Sequence, residues 1–235
     1  MLWKKSFCLA LTALICSGLR LWAGDNASFV DLGFSPDGTI YMFAQYGVES
    51  ATLKPWAELT VVDVPKNNFV PGGRVSYTHT SQVTNGQDGS GAMYRLIAQS
   101  GALANRYGVN FLHQGYPLYL SLETSGRAGD GGEIIEFRDF QAGASYRAAL
   151  IPTLEGSGGN LQSSFYINVE RTARDGSKRT YTVGSPHIKR PLISSYRIRK
   201  VVVAPQDGSL IFVVETKKPG NDGFDIRYMT EALRL

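Results

Sequence analysis

Cysteine is nearly missing from this chain: of 235 residues only Cys8 and Cys16 carry a thiol, and both fall within the first 23. If that stretch is removed, the working protein has no disulfide, no thiolate nucleophile and no cysteine-based zinc site. Histidine is also scarce. His79 lies in a polar stretch, His113 follows a helical pattern, and His187 sits in a Pro-rich segment. No two of them are spaced i, i+4 and H-E-x-x-H is absent, so the zincin pattern is excluded. No G-x-S-x-G marks a serine nucleophile elbow. Beyond residue 23 no run approaches the ~18 consecutive apolar residues of a membrane-crossing helix. A transmembrane span in the mature chain is therefore not expected. Charged residues make up 19% of the chain, below the roughly 25% of an ordinary globular domain.

The first 23 residues have a composition of their own. Lys4 and Lys5 precede an apolar run from Ser6 to Leu19, Gly18 breaks helix, and Ala23 offers a small residue for cleavage before Gly24. A positive start, a short greasy centre and a small residue at the cut are the marks of a secretory signal. The expectation is a signal peptide at 1–23, cleaved between Ala23 and Gly24. An uncleaved anchor and a lipid on Cys16 are the alternatives, the second disfavoured by bulky Ile15 just before the cysteine. Cleavage removes three of the 24 basic residues and none of the 20 acidic ones, taking the formal net charge from +4 to +1. Attraction to nucleic acid then has no support.

What remains, 24–235, reads as a single β-rich exported domain. Gly is abundant at 26, with 12 Tyr and 11 Phe, a balance that suits strands and tight turns. Residues 29–47 read as two strands around Pro36-Asp37-Gly38, with apolar residues on both faces of the second. A third strand follows at 57–64. Residues 72–91, polar and rich in Gly, Ser and Thr, read as a loop. An amphipathic helix is expected near 91–107, striped by Met93, Leu96, Ile97, Leu103, Ala104 and Tyr107, with Asp88 or Ser90 to start it and Gly108 to end it. Further strands are expected near 117–122, 133–140, 144–154, 165–170, 180–183, 199–205, 209–216 and 224–230. A Gly-rich loop at 125–132 and an Asp175-Gly176 hairpin turn separate some of them. Asp-Gly pairs begin at 37, 88, 130, 175, 207 and 222. FSPDGTIYMF and VAPQDGSLIFVV look alike, as propeller blades do, but the intervals are uneven where repeats hold a period. The fold class is mainly β, antiparallel meanders with one amphipathic helix, arranged as a sandwich or a partial propeller.

Residues 30–64, with VDLGFSPDGTIYMFAQYGVE and then PWAELTVVDV, resemble a bacterial family of predicted secreted proteins of unknown function. The leader, the FSPDG meander and the later RYGV after the helix agree with it. The resemblance implies export and supplies no chemistry. Family members often carry a Gly-rich segment before the third strand; here that place reads ESATLKPWAE, so no role of such glycines carries over.

Candidate chemistry is thin. Glu133 and Glu136 lie three apart on a strand and so face opposite sides, which separates them as an acid–base pair. Asp222 and Asp225 flank Gly223 but lack the alternating carboxylates and closing Glu of an EF-hand. No metal and no cofactor are expected. Residues 187–200 hold Lys189, Arg190, Arg197, Arg199 and Lys200 with no acid, a solvated strand edge or a patch for anionic polymer. Tyr46, Trp56, Tyr116 and Tyr119 sit beside expected loops, where aromatic faces stack on sugars or hold peptide, or simply pack the sheet. The function expected is a noncatalytic envelope module, periplasmic or secreted, that binds a ligand or protein. The alternative is a hydrolase of carbohydrate or peptide whose site the fold assembles, and whether the chain is an enzyme stays open.

Overall fold

A computed structural model describes residues 25–84, 86–122, 132–220 and 223–235. It contains twelve strands in three four-stranded antiparallel sheets. The first sheet is a meander of β1 (Ser28–Phe34), β2 (Ile40–Val48), β3 (Pro55–Asp63) and β4 (Asn68–Thr78). Two short helices follow, α1 (Ser90–Gln99) and α2 (Gly101–Arg106). Strand β5 (Tyr116–Leu120) joins a sheet completed at the far end of the chain by β10 (Ser195–Val203), β11 (Leu210–Gly220) and β12 (Gly223–Leu233), in the order β12-β11-β10-β5. Between these, β6 (Glu133–Asp139), β7 (Ala144–Glu155), β8 (Gln162–Thr172) and β9 (Lys178–Pro191) form a second meander.

The three sheets stack, with the β12-β11-β10-β5 sheet in the middle. The sequence of its strands explains why. In a strand, successive side chains point to opposite faces, and both VVVA, from Val201 to Ala204, and LIFVV, from Leu210 to Val214, are apolar throughout. Val201, Val203, Leu210, Phe212 and Val214 pack against Ile135, Tyr146, Phe165 and Ile167 of the second meander. From the opposite face Val202, Ala204, Ile211 and Ala232 pack against Phe34, Tyr41, Phe43 and Val62 of the first sheet. The first sheet then presents Leu32, Met42, Ala44, Leu59 and Val61 to Ala92, Met93, Leu96 and Ala104 of the helices. Layering, rather than radial blades, is the arrangement found.

Turn chemistry repeats across the layers. At Asp37, Asp88, Asp175 and Asp207 the carboxylate accepts the backbone N–H two residues on, at 3.1, 3.0, 2.9 and 3.0 Å, and the Ser or Thr hydroxyl of that same residue. This is the Asx-turn habit of aspartate. At Asp88 the turn starts α1 instead of a hairpin, and Gly89 there is held so close to β2 that a Cβ would stand 2.2 Å from the carbonyl oxygen of Gly47. Only glycine permits that approach.

Four expectations need correction. The helix near 91–107 is two helices, broken at Ser100, where the stripe was interrupted by Ser100-Gly101. The first third of the loop expected at 72–91 is strand: β4 runs to Thr78, its Val75 and Tyr77 packing under the helices while Arg74, Ser76 and Thr78 turn to the other side. His187 lies on β9, not in a loop. And β10, which carries Arg197, Arg199 and Lys200, is an interior strand between β11 and β5, not a solvated edge. Most of the Gly-rich segment at 125–132, and Asp222, lie outside the described residues.

Candidate functional site

Where the first sheet extends past β12, the edge strand of the central sheet, a cleft of about 810 Å³ opens. One wall is β3 and β4, through Glu58, Thr60, Arg74 and Ser76; the other is β9, through Ser185, Ile188 and Arg190; Arg227 to Glu231 of β12 run along the floor. The alternation of β3 sets the character of the wall. Ala57, Leu59 and Val61 face the helices, so Glu58 and Thr60 point to the opposite face, where they line the cleft.

The floor is a sheet edge whose backbone groups point outward at every second residue. Three of the four such positions from Ile226 to Ala232 are claimed by groups from outside the sheet. At Ile226 the segment just before β1 acts as a short extra strand: Ile226 N–H donates to the Asp25 carbonyl at 2.9 Å, and Ala27 N–H donates to the Ile226 carbonyl at 3.1 Å. At Tyr228 the side-chain amide of Gln45 takes both groups, accepting the N–H at 2.9 Å and donating to the carbonyl at 3.2 Å. At Ala232 the N–H donates to Asn67 Oδ1 at 2.6 Å. Thr230 lies between the last two. Its backbone points the same way, yet among the described residues no hydrogen-bond partner meets its N–H or carbonyl on that side. Its hydroxyl is buried and unpartnered as well.

The two amides that flank Thr230 are each fixed from behind by an ion pair. On one wall Arg74 pairs with Glu58 at 2.8 Å, and Glu58 Oε1 accepts from Gln45 Nε2 at 3.1 Å. On the other, Arg190 lies 3.7 Å from Glu231 Oε1, while Glu231 Oε2 accepts from Asn67 Nδ2 at 2.5 Å. Each relay runs arginine, glutamate, carboxamide, backbone of β12. Buried charge is costly unless paired and hydrogen-bonded, and both glutamates meet that condition. Burial nevertheless raises the Glu231 carboxyl above its ordinary 4.5, against the downward pull of the Asn67 hydrogen bond and Arg190.

That direction fixes a pH dependence. An acid whose folded pKa exceeds its unfolded value destabilises the fold while ionised, and the penalty fades as pH falls through the folded pKa towards 4.5. Relative to Glu231→Gln, which cannot titrate, the native protein should therefore gain stability on going from pH 7 to about pH 4.5. Paired urea titrations of the two proteins across that range check it; a native protein that loses ground to the variant on acidification contradicts it.

Of the four aromatic candidates, the fold brings only Trp56 to the cleft. Its Nε1 donates to both oxygens of the buried Asp25 carboxylate at 3.1 Å, and the Arg227 guanidinium lies 4.1 Å over its ring while holding Asp25 Oδ2 at 2.5 Å. Tyr46 packs partly buried beneath the helices. Tyr119 packs on the other side of the central sheet. Tyr116 does too, its hydroxyl donating to Asp139 Oδ2 at 2.9 Å, and burial pushes that phenol up to about 12.

The remaining candidates are accounted for by local partners. Glu133 accepts the Ile198 N–H at 2.7 Å and pairs with Arg197, whereas Glu136 is exposed beside Arg147. All five bases of 187–200 meet an acid: Lys189 pairs with Glu155, Arg190 with Glu231, Arg197 with Glu133, Arg199 with Glu215 and Lys200 with Asp31. That neutralisation leaves little for an anionic polymer to grip. His79, His113 and His187 stand outside the cleft. Among the described residues no group of three or more His, Cys, Asp or Glu is placed to hold a metal ion, and no helix is long and apolar enough to cross a membrane.

Sequence reasoning passed over Gln45, Glu58, Asn67, Arg74, Thr230 and Glu231. The signal available was Glu58 and Thr60 as the polar half of the alternation in β3, and Asn67 in a turn, where it adopts φ of 47°.

Fold and cleft together define a class: a layered antiparallel β protein with a ligand-sized opening along one sheet edge. The family's sequence model places it further. The chain belongs to the family of predicted secreted proteins designated DUF2259, matched over residues 42–234, and it is an exported protein. No curated protein matches it.

Proposed function

We propose that this exported protein is a noncatalytic binding module of the cell envelope or its surroundings, and that the cleft along β12 holds its ligand. The observation that carries this reading is the state of the two carboxylates in the cleft. Glu58 and Glu231 are both spent on relays that fix a carboxamide against β12, an arrangement that stiffens a surface for recognition. A volume of about 810 Å³ falls within the range of small-ligand sites, roughly 300–1,000 Å³.

Ser76 supplies a clean test. It is exposed on the edge strand β4 and lines the cleft, so Ser76→Trp fills the opening without disturbing the core. A panel of envelope peptides and N-acetylated glycan oligomers, read by thermal shift, should include ligands that stabilise the native protein, by about 2.7 kcal/mol at a hundredfold excess over Kd. The Ser76→Trp protein should keep its own melting temperature and lose that response. An equal response from both proteins places the site elsewhere.

One observation favours a second reading. Glu231 lines the cleft with its carboxyl raised by burial, and a raised carboxyl is suited to donate a proton in hydrolysis of a glycoside or peptide. Under that reading Glu231→Gln abolishes turnover of a cleft ligand. Under ours the ligand is recovered intact from both proteins.

A further inference from the structure

The unclaimed backbone of Thr230 says what part of a ligand the cleft receives. The protein itself shows the fitting group. Two residues away, on the same strand and pointing the same way, the Tyr228 backbone is met by the primary carboxamide of Gln45, which accepts with its oxygen and donates with its nitrogen. On the other side the Asn67 carboxamide meets Ala232. Thr230 presents the same pair of groups between them, and its buried hydroxyl lacks a partner in the same place. A buried polar group without a partner is uncommon in a native fold and asks for one.

We propose that the backbone of Thr230 is the docking point for a primary carboxamide, the side chain of an Asn or Gln in a peptide lying along the cleft. The inference rests on reading the cleft as a binding site, and names what that site takes. A carboxylate has no donor for the Thr230 carbonyl, an ammonium has no acceptor for its N–H, and a hydroxyl has both on one atom; a carboxamide carries donor and acceptor on separate atoms at the end of a short stem, as Gln45 does at Tyr228. The acetamido group of an N-acetylated sugar is a secondary trans amide, whose N–H and C=O point in opposite directions, so it cannot reach both groups at once. Sugar stacking is also disfavoured: the Arg227 guanidinium sits over Trp56 at 4.1 Å and that of Arg74 over Phe69 at 6.0 Å. Apolar Ile188, Ile193 and Met229 in the lining leave room for the flanking side chains of a peptide.

The test is selection of a random dodecapeptide phage library on the purified exported protein. Selected peptides are then resynthesised with each Asn or Gln replaced by Asp, Glu or Leu. One carboxamide position should stand out, its replacement weakening binding at least tenfold. Thr230→Pro removes the N–H at a position where an edge strand tolerates proline; it should weaken the parent peptide by a similar factor and no longer distinguish parent from replaced peptide. Should that variant fail to fold, amide exchange at Thr230 in the unaltered protein carries the same test: the parent peptide slows it at least tenfold, and the replaced peptide leaves it unchanged. Peptides that bind the cleft without depending on a carboxamide overturn the inference. So does an N-acetylglucosamine oligomer that binds there when no peptide does, though both results keep the cleft as a binding site. Binding that survives Ser76→Trp removes both proposals.

Discussion

Phe212→Ala is expected to cost about 4 kcal/mol, the usual range for removing a buried phenylalanine ring, and to lower the melting temperature by roughly 10 °C in a chain of this length. Phe212 is fully buried on β11, the second strand of the central sheet, with Leu210 and Val214 beside it on the same face. The informative part is how far the damage spreads. Phe212 packs against the β6–β9 meander, while its neighbour Ile211 packs against the first sheet. Because one sheet serves both clusters, loosening one face should loosen the other. Trp56 is the one tryptophan past residue 23, and it reports from the first sheet. Its fluorescence should unfold together with the circular dichroism signal in both the native protein and Phe212→Ala. A variant whose Trp56 transition stays at the native temperature while the rest melts early contradicts the shared core.

Arg227→Ala is expected to cost about 3 kcal/mol, because it strands a charge instead of merely deleting a contact. Asp25 is only 5% exposed. Arg227 holds its carboxylate at 2.5 Å and its carbonyl at 2.9 Å, and covers the Trp56 ring, a contact of about 0.5–2 kcal/mol by itself. Without the guanidinium, the Trp56 indole N–H is the remaining side-chain donor to that carboxylate. Two further variants separate the causes. Arg227→Met restores the apolar stem but not the charge, and should recover little. Asp25→Ala combined with Arg227→Ala should be less damaging than the sum of the two single changes, since neither charge is then left alone. Additive losses, measured by urea unfolding, speak against the buried pair. Asp25 lies two residues past Ala23, the cleavage point expected from the sequence, so a leader cut there leaves the Asp25–Arg227 pair intact.

Local chemistry made most strands readable. The strands expected at RKVVVAP and SLIFVVET are found as β10 and β11, and the Asp-Gly turns at 37, 175 and 207 fall where hairpins turn. The misreadings share a cause. β4 carries Pro71, Gly72 and Gly73, and its outer residues Arg74, Ser76 and Thr78 are polar because they line a cleft; that polarity reads as a loop when the neighbouring layer is unknown. β9 continues past Gly184, which has φ of 83° beside a register shift, so its second half lost the alternation that marked its first.

The candidate site was less legible still. Gln45 and Tyr228 lie 183 residues apart, and Asn67 and Glu231 lie 164 apart. No spacing in the chain announces such pairs. Sequence did name Trp56, an aromatic beside a loop, which lines the cleft. Thr230 had no mark at all, since the feature that singles it out is a backbone position left open after its neighbours are claimed.

Hydrogen exchange at that position is the most direct measurement. Along β12 the outward amides of Tyr228 and Ala232 donate to Gln45 and Asn67, and that of Thr230 faces the cleft. Residue-resolved exchange on the ligand-free protein should find Thr230 exchanging at least about tenfold faster than either neighbour, as expected of an amide that needs no bond to open. If Thr230 is protected as well as Tyr228 and Ala232, the edge is sealed, and the cleft offers a ligand no backbone to hold.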